Sequence, residues 1–109
     1  MTQQEVYQMM KEVEVPAAYH HFEEGQSPDP PFIVYLYPRS DNFSADGIAY
    51  QEISKLDIEL YTDRKDPEME SRIETVLKKH ELFYEKTENY LDTEKMYEVL
   101  YEMEVLING

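Results

Sequence analysis

The residues with the chemistry for metal binding or acid–base catalysis are three histidines and twenty-four carboxylates; cysteine is absent, which excludes disulfides, thiolate metal sites and a cysteine nucleophile. His20 and His21 are adjacent. In a strand, neighbouring side chains point to opposite faces, so the pair is expected not to hold one ion together, and both are expected as ordinary strand histidines. Only His80 remains. Asp41 to Gly47 resembles a calcium loop in composition, but it lacks the alternating acids and the glutamate at the twelfth position that calcium needs. The three glycines include no pair placed to cradle a phosphate. Ser27, Ser40, Ser44 and Ser54 stand outside any nucleophile-elbow context. With so many acids, no two single themselves out as a general acid and base. The expectation is a protein without catalytic residues, cofactor or metal.

Those side chains must be carried by a single domain spanning residues 1–109, long enough for one core. Hydrophobic content of 41% and charged content of 31% read as a folded, soluble chain. No apolar run reaches the roughly 18 residues of a membrane span. The start Met-Thr-Gln-Gln-Glu lacks the basic opening of a signal peptide, and the absence of cysteine fits a reducing cytoplasm. The net charge of −14 opposes binding that depends on neutralising phosphates, whether of nucleic acid or of an anionic membrane. Ten tyrosines suit strands and also protein–protein contacts, where an apolar ring with a polar tip is useful.

The pattern along the chain predicts an α+β fold: a mostly antiparallel, twisted sheet of four or five strands, with an N-terminal helix and one main helix packed on it. Thr2 to Glu5 matches a capping box ahead of the stripe Val6, Met9, Met10 and Val13, and Pro16 follows its end. Ala17 to Phe22 reads as a short strand, 23–31 as a loop. Phe32 to Tyr37 is apolar on both parities, as a strand covered on both faces would be. Pro38 stops it, and 39–47 reads as a second polar loop before a long strand from Tyr50 to Thr62. There Leu56, Ile58 and Leu60 take one face while Asp57, Glu59 and Tyr61 take the other.

Asp66-Pro67 then supplies an N-cap and a first-turn proline for an amphipathic helix to His80. Its stripe is Met69, Ile73, Val76, Leu77 and His80, and its end charges match the helix dipole. Leu82 to Leu91 is a more polar strand suited to an edge. In the last strand Tyr97, Val99, Tyr101, Met103 and Val105 share one face and Glu98, Glu102 and Glu104 the other. Met96, Val99, Leu100 and Met103 also fit helical spacing, but the alternation of aromatic and valine positions favours strand.

Two surfaces emerge as candidates. Residues 84–104 hold seven acids against Lys86 and Lys95, a local net of −5, with Glu98, Glu102 and Glu104 as the candidate acidic face. Such a face is either merely solvated, or suited to facing DNA without adhering or to docking on a basic partner. The loop residues Asp41, Asn42, Phe43 and Asp46 are the candidate assembly contact, with 23–31 as another.

The runs Pro31-Phe32-Ile33-Val34-Tyr35, Ser40 to Asp46 and Ile58 to Asp66, with Tyr84-Glu85-Lys86 and Glu94 to Glu102, resemble small neck proteins of long-tailed bacteriophages and prophages of Gram-positive bacteria. These are head–tail joining or tail-completion proteins, similar to tail terminators. The likeness spans nearly the whole chain but includes no catalytic motif. It implies a non-enzymatic virion subunit that closes into a ring, commonly a hexamer. Its implied partners are itself, the tail-tube protein and the head connector, first in the host cytoplasm and then in the virion, with no affinity of its own for nucleic acid or membrane. A ring closes by rotation, so two different patches must be complementary. The competing expectation is an acidic cytoplasmic adaptor, or a DNA mimic that inhibits a basic protein.

Overall fold

The computed structural model describes residues 1–23, 25–45 and 48–107, and over 40–45 and 48–52 the backbone alone. The fold is α+β. Helix α1 spans Gln3–Glu12 and α2 spans Pro67–Lys79; the strands are β1 (Ala17–Tyr19), β2 (Phe32–Leu36), β3 (Ser40–Ala45), β4 (Ile48–Thr62), β5 (Glu85–Leu91) and β6 (Met96–Ile107).

Both helices start as their sequences dictate. Thr2 Oγ1 accepts from the Glu5 N–H and Glu5 Oε1 from the Thr2 N–H, each at 3.1 Å, closing the expected capping box. Asp66 Oδ1 accepts from the Met69 N–H at 3.1 Å, with Pro67 at the first helical position. No helix among the described residues is long and apolar enough to cross a membrane.

The sheet runs β1-β2-β4-β6-β5, with β3 paired to β4 off that path. Only β1 and β2 are parallel; the other pairs are antiparallel. The spine is β4, which pairs with β6 from Glu52 to Thr62 along one edge and with β2 and then β3 along the other. Leu56, Ile58 and Leu60 meet Ile33, Tyr35, Val99 and Tyr101 on one face, and α1 and α2 close over them with Val6, Met9, Met10, Ile73 and Leu77. Each such side chain removed from water stabilises the fold by about 1.5–3 kcal/mol. The expected grouping of Leu56, Ile58, Leu60, Ile73, Val76 and Leu77 is one buried cluster. β6 is a strand, as the alternation indicated, and β5 lies at the sheet edge.

Three expectations are corrected. First, part of the polar segment 39–47 is strand: β3 pairs with β4 from Ser40↔Ser54 to Ala45↔Ile48, so the sheet has six strands. The signal was available, since Asp-Gly between two extended runs is a strong two-residue hairpin cue and a ladder satisfies the backbone of polar residues as well as of apolar ones. Asp46 and Gly47 themselves lie outside the described residues. Second, β1 ends at Tyr19, not Phe22. His20 adopts φ 71°, a left-handed conformation uncommon for any residue but glycine, and its N–H donates to the Tyr35 carbonyl at 2.7 Å. Third, strand geometry does not hold His20 and His21 apart, because neither lies in the strand. Their Nδ1 atoms meet at 3.0 Å, as a donor and an acceptor do.

Candidate functional site

The helices cover one face of the sheet, and the other face divides in two. Over β2 it is dry: Phe32 and Val34 are buried there, with the Phe22 ring edge-on to Phe32 at 5.4 Å and Tyr61 stacked on it at 5.1 Å. Toward β4 and β6 it becomes acidic. The register sets Tyr61 opposite Glu98, Glu59 opposite Leu100, Asp57 opposite Glu102 and Lys55 opposite Glu104, so alternate residues of both strands share this side.

Glu98, Glu102 and Glu104 are therefore brought to one face, but only Glu104 is exposed. Glu102 Oε2 lies 2.5 Å from Lys55 Nζ, which also reaches Asp57 Oδ1 at 3.9 Å. Glu98 Oε2 is 2.9 Å and Glu59 Oε1 3.0 Å from the Tyr61 hydroxyl. That hydroxyl has one proton and faces two carboxylates, so it serves them together or alternately. Burial pushes the Asp57 and Glu59 carboxyls above their ordinary range, with Lys55 opposing the rise at Asp57 and Tyr61 opposing it at Glu59. Burial also pushes the Tyr61 phenol up, and the two carboxylates add to it. Asp57 Oδ1 is buried without a hydrogen-bond partner among the described residues. The candidate acidic face is thus a partly desolvated row held by one lysine and one tyrosine.

No protein-family model and no curated protein matches this chain.

Of the candidate assembly residues, Asp41, Asn42 and Phe43 lie in β3, opposite Ile53, Glu52 and Gln51 of β4, and Asp46 falls outside the described residues. Among the described residues β3 has β4 as its only strand neighbour and β4 pairs with β6 from Glu52 onward, so residues 43–45 and 48–51 form a two-stranded extension of the sheet. The molecule measures 50 × 30 × 22 Å along its principal axes.

A second charged group lies on the helix side. Glu70 of α2 is buried, and its carboxylate receives Lys65 Nζ at 2.8 Å and Lys86 Nζ at 2.7 Å. Lys86 also reaches Glu74 Oε2 at 2.8 Å, and the Tyr101 hydroxyl donates to the same oxygen at 2.8 Å. Lys65 further binds Glu88 of β5. Glu70 is one of the first-turn acids that suit the helix dipole, and its spacing of three and seven from Ile73 and Leu77 also puts it on the apolar stripe, which is the signal in the sequence for its burial. The group fastens α2 to the edge strand. Inward-pointing charges of this kind also blunt an exposed edge. Among the described residues, no three histidine or carboxylate side chains converge to hold a metal ion.

Proposed function

We propose that this chain is a non-enzymatic structural subunit of a phage head–tail junction, closing into a ring that completes the tail and joins it to the head. The observation that carries the reading is the β3–β4 extension. Among the described residues, 48–51 pair only with β3, and a two-stranded ribbon is marginal alone in water, so a neighbouring subunit is a natural source of further contacts. The elongated shape and the acidic, helix-free sheet face suit a subunit that borders a DNA passage without adhering to it. In this reading the chain works first in the host cytoplasm and then in the virion, with the tail-tube and head-connector proteins as partners.

The test is assembly. Purified protein, alone at high concentration or mixed with a phage tail-tube protein, should form closed rings visible by negative-stain electron microscopy and sedimenting as one oligomer. A chain that stays monomeric throughout and leaves the tube ends bare would overturn the proposal.

The second reading, an acidic adaptor or DNA mimic, draws on the row Asp57, Glu59, Glu98 and Glu102. Carboxylates already half withdrawn from water lose less hydration on meeting a basic surface. It predicts a monomer that competes with duplex DNA for a basic protein.

A further inference from the structure

Strand β6 outlasts its edge neighbour. The β5–β6 register begins at Glu85↔Glu102, whereas β6 continues to Ile107 beside β4. Before Glu85 the chain leaves the sheet, because the Leu82 N–H turns back to the Leu77 carbonyl of α2 at 3.0 Å. Among the described residues, Met103 to Val105 therefore have no strand on their β5 side. Farther along, the N-terminal ammonium donates to the Leu106 carbonyl at 3.0 Å.

Over this gap lies an open groove of about 780 Å³. Leu82 and Met103 line it, and Phe83 stands at its wall with 95% of its surface in water. Nothing in a single subunit accounts for a wholly exposed phenylalanine, the most exposed large apolar residue among those described. The groove is lined by two cations, Arg39 and Lys55, against four acids, Glu81, Glu85, Glu102 and Glu104, so its charge is negative in balance. Lys55 is taken by Glu102, while Glu81, Glu85 and Glu104 have no ion-pair partner among the described residues.

An open backbone edge, an apolar wall and unpaired carboxylates together describe a recognition surface for an extended chain. Main-chain bonds to the edge supply affinity, and side-chain pockets supply choice. We propose that this slot accepts an extended segment of a partner protein bearing lysine or arginine, added as a strand beside Met103–Val105 of β6, with an apolar side chain packed against Phe83. The slot belongs to one chain, so its test does not turn on whether rings form.

The probe is a capped ten-residue peptide alternating lysine and valine, titrated into the labelled full chain at physiological salt and followed by amide NMR. The Leu106 carbonyl faces this side, and backbone groups alternate along a strand, so binding should shift and protect the Glu104 amide, while the Met103 and Val105 amides, turned to β4, are already protected. Phe83→Ser, which removes no buried contact, should weaken affinity about tenfold, as loss of an anchoring aromatic does. Replacing Glu81, Glu85 and Glu104 together with lysine should turn the preference toward a glutamate–valine peptide. A peptide alternating lysine and proline retains the charge but has fewer backbone donors, and it should bind far less. Equal binding of the proline peptide would overturn the proposal, since attraction to net charge alone would explain it. So would shifts confined to the Tyr61–Glu98 side of the sheet. Wild-type dimers that dissociate with Phe83→Ser, without peptide binding, would assign the slot to a second copy and overturn it equally.

Discussion

Lys86 of the edge strand reaches across to Glu70, a helix residue whose side chain is only 5% exposed, and the two meet at 2.7 Å. Burial alone would raise the Glu70 carboxyl; Lys65 and Lys86 outweigh burial and hold it below the ordinary value. Its folded pKa is depressed, so the stability it supplies is present above the unfolded carboxylate range near pH 4.3 and is lost as pH falls through the folded value. Glu74 is depressed in the same sense. Urea unfolding at successive pH values should show stability falling below about pH 4.3, and the fall should be shallower in Glu70→Gln. At neutral pH Glu70→Ala should cost about 1–3 kcal/mol, since the orphaned lysines are partly exposed and can turn to water. An unchanged acid limb in Glu70→Gln would show that other carboxyls set it.

Leu77 is fully buried between α2 and the sheet. Truncation to alanine should cost about 2–5 kcal/mol, depending on how far Ile73, Leu56 and their neighbours close the gap. A midpoint shift in chemical denaturation with an unchanged slope is the expected result.

Tyr37 presents the opposite case. Its hydroxyl is buried with no hydrogen-bond partner among the described residues, and burial pushes the phenol up to about 12, with Tyr35 and Tyr19 adding to it. Tyr37→Phe removes an unsatisfied polar atom and should be neutral or stabilising by about 1 kcal/mol. The raised pKa also predicts alkaline loss. The neutral phenol's contribution is complete below the unfolded tyrosine value near pH 10 and is lost as pH rises toward about 12. Tyr37→Phe should unfold at a higher pH than the parent, followed by tyrosinate absorbance and circular dichroism together.

The acidic face makes an electrostatic prediction. The unmodified chain should show no measurable affinity for duplex DNA even at about 0.01 M salt, where like charges repel over roughly 30 Å. Reversal of Glu98, Glu102 and Glu104 to lysine does not test that face cleanly. Glu98 and Glu102 are tied to Tyr61 and Lys55, so their reversal should also lower thermal stability. Glu104→Lys alone should leave the fold intact. Tight DNA binding by the parent would remove the passive-passage reading.

Much of the fold was legible because its signals are local. The Thr2–Glu5 box, the Asp66-Pro67 start and the strict alternation of β4 and β6 each follow from a few neighbouring residues. What escaped depends on partners far along the chain. Asp41 and Asn42 are polar enough for a loop, and the Asp46-Gly47 cue does not by itself say that they pair opposite Ile53 and Glu52. His20 leaves the sheet through a left-handed turn that its side-chain type does not announce. The acidic row was half visible: alternation separated Asp57, Glu59 and Tyr61 from the core face, and Glu98 from Tyr97. Their meeting at the Tyr61 hydroxyl is a matter of register, which no single segment encodes.

The long β4–β6 pairing has a mechanical consequence. Eleven residue pairs, from Glu52↔Ile107 to Thr62↔Tyr97, lie side by side along both strands. A pull directed along those strands in opposite senses loads their hydrogen bonds simultaneously, in shear, whereas a pull across them opens the ladder one rung at a time. The same subunit is therefore stiff in one direction and readily unzipped in another, and the line along which tension reaches it decides whether it holds or tears.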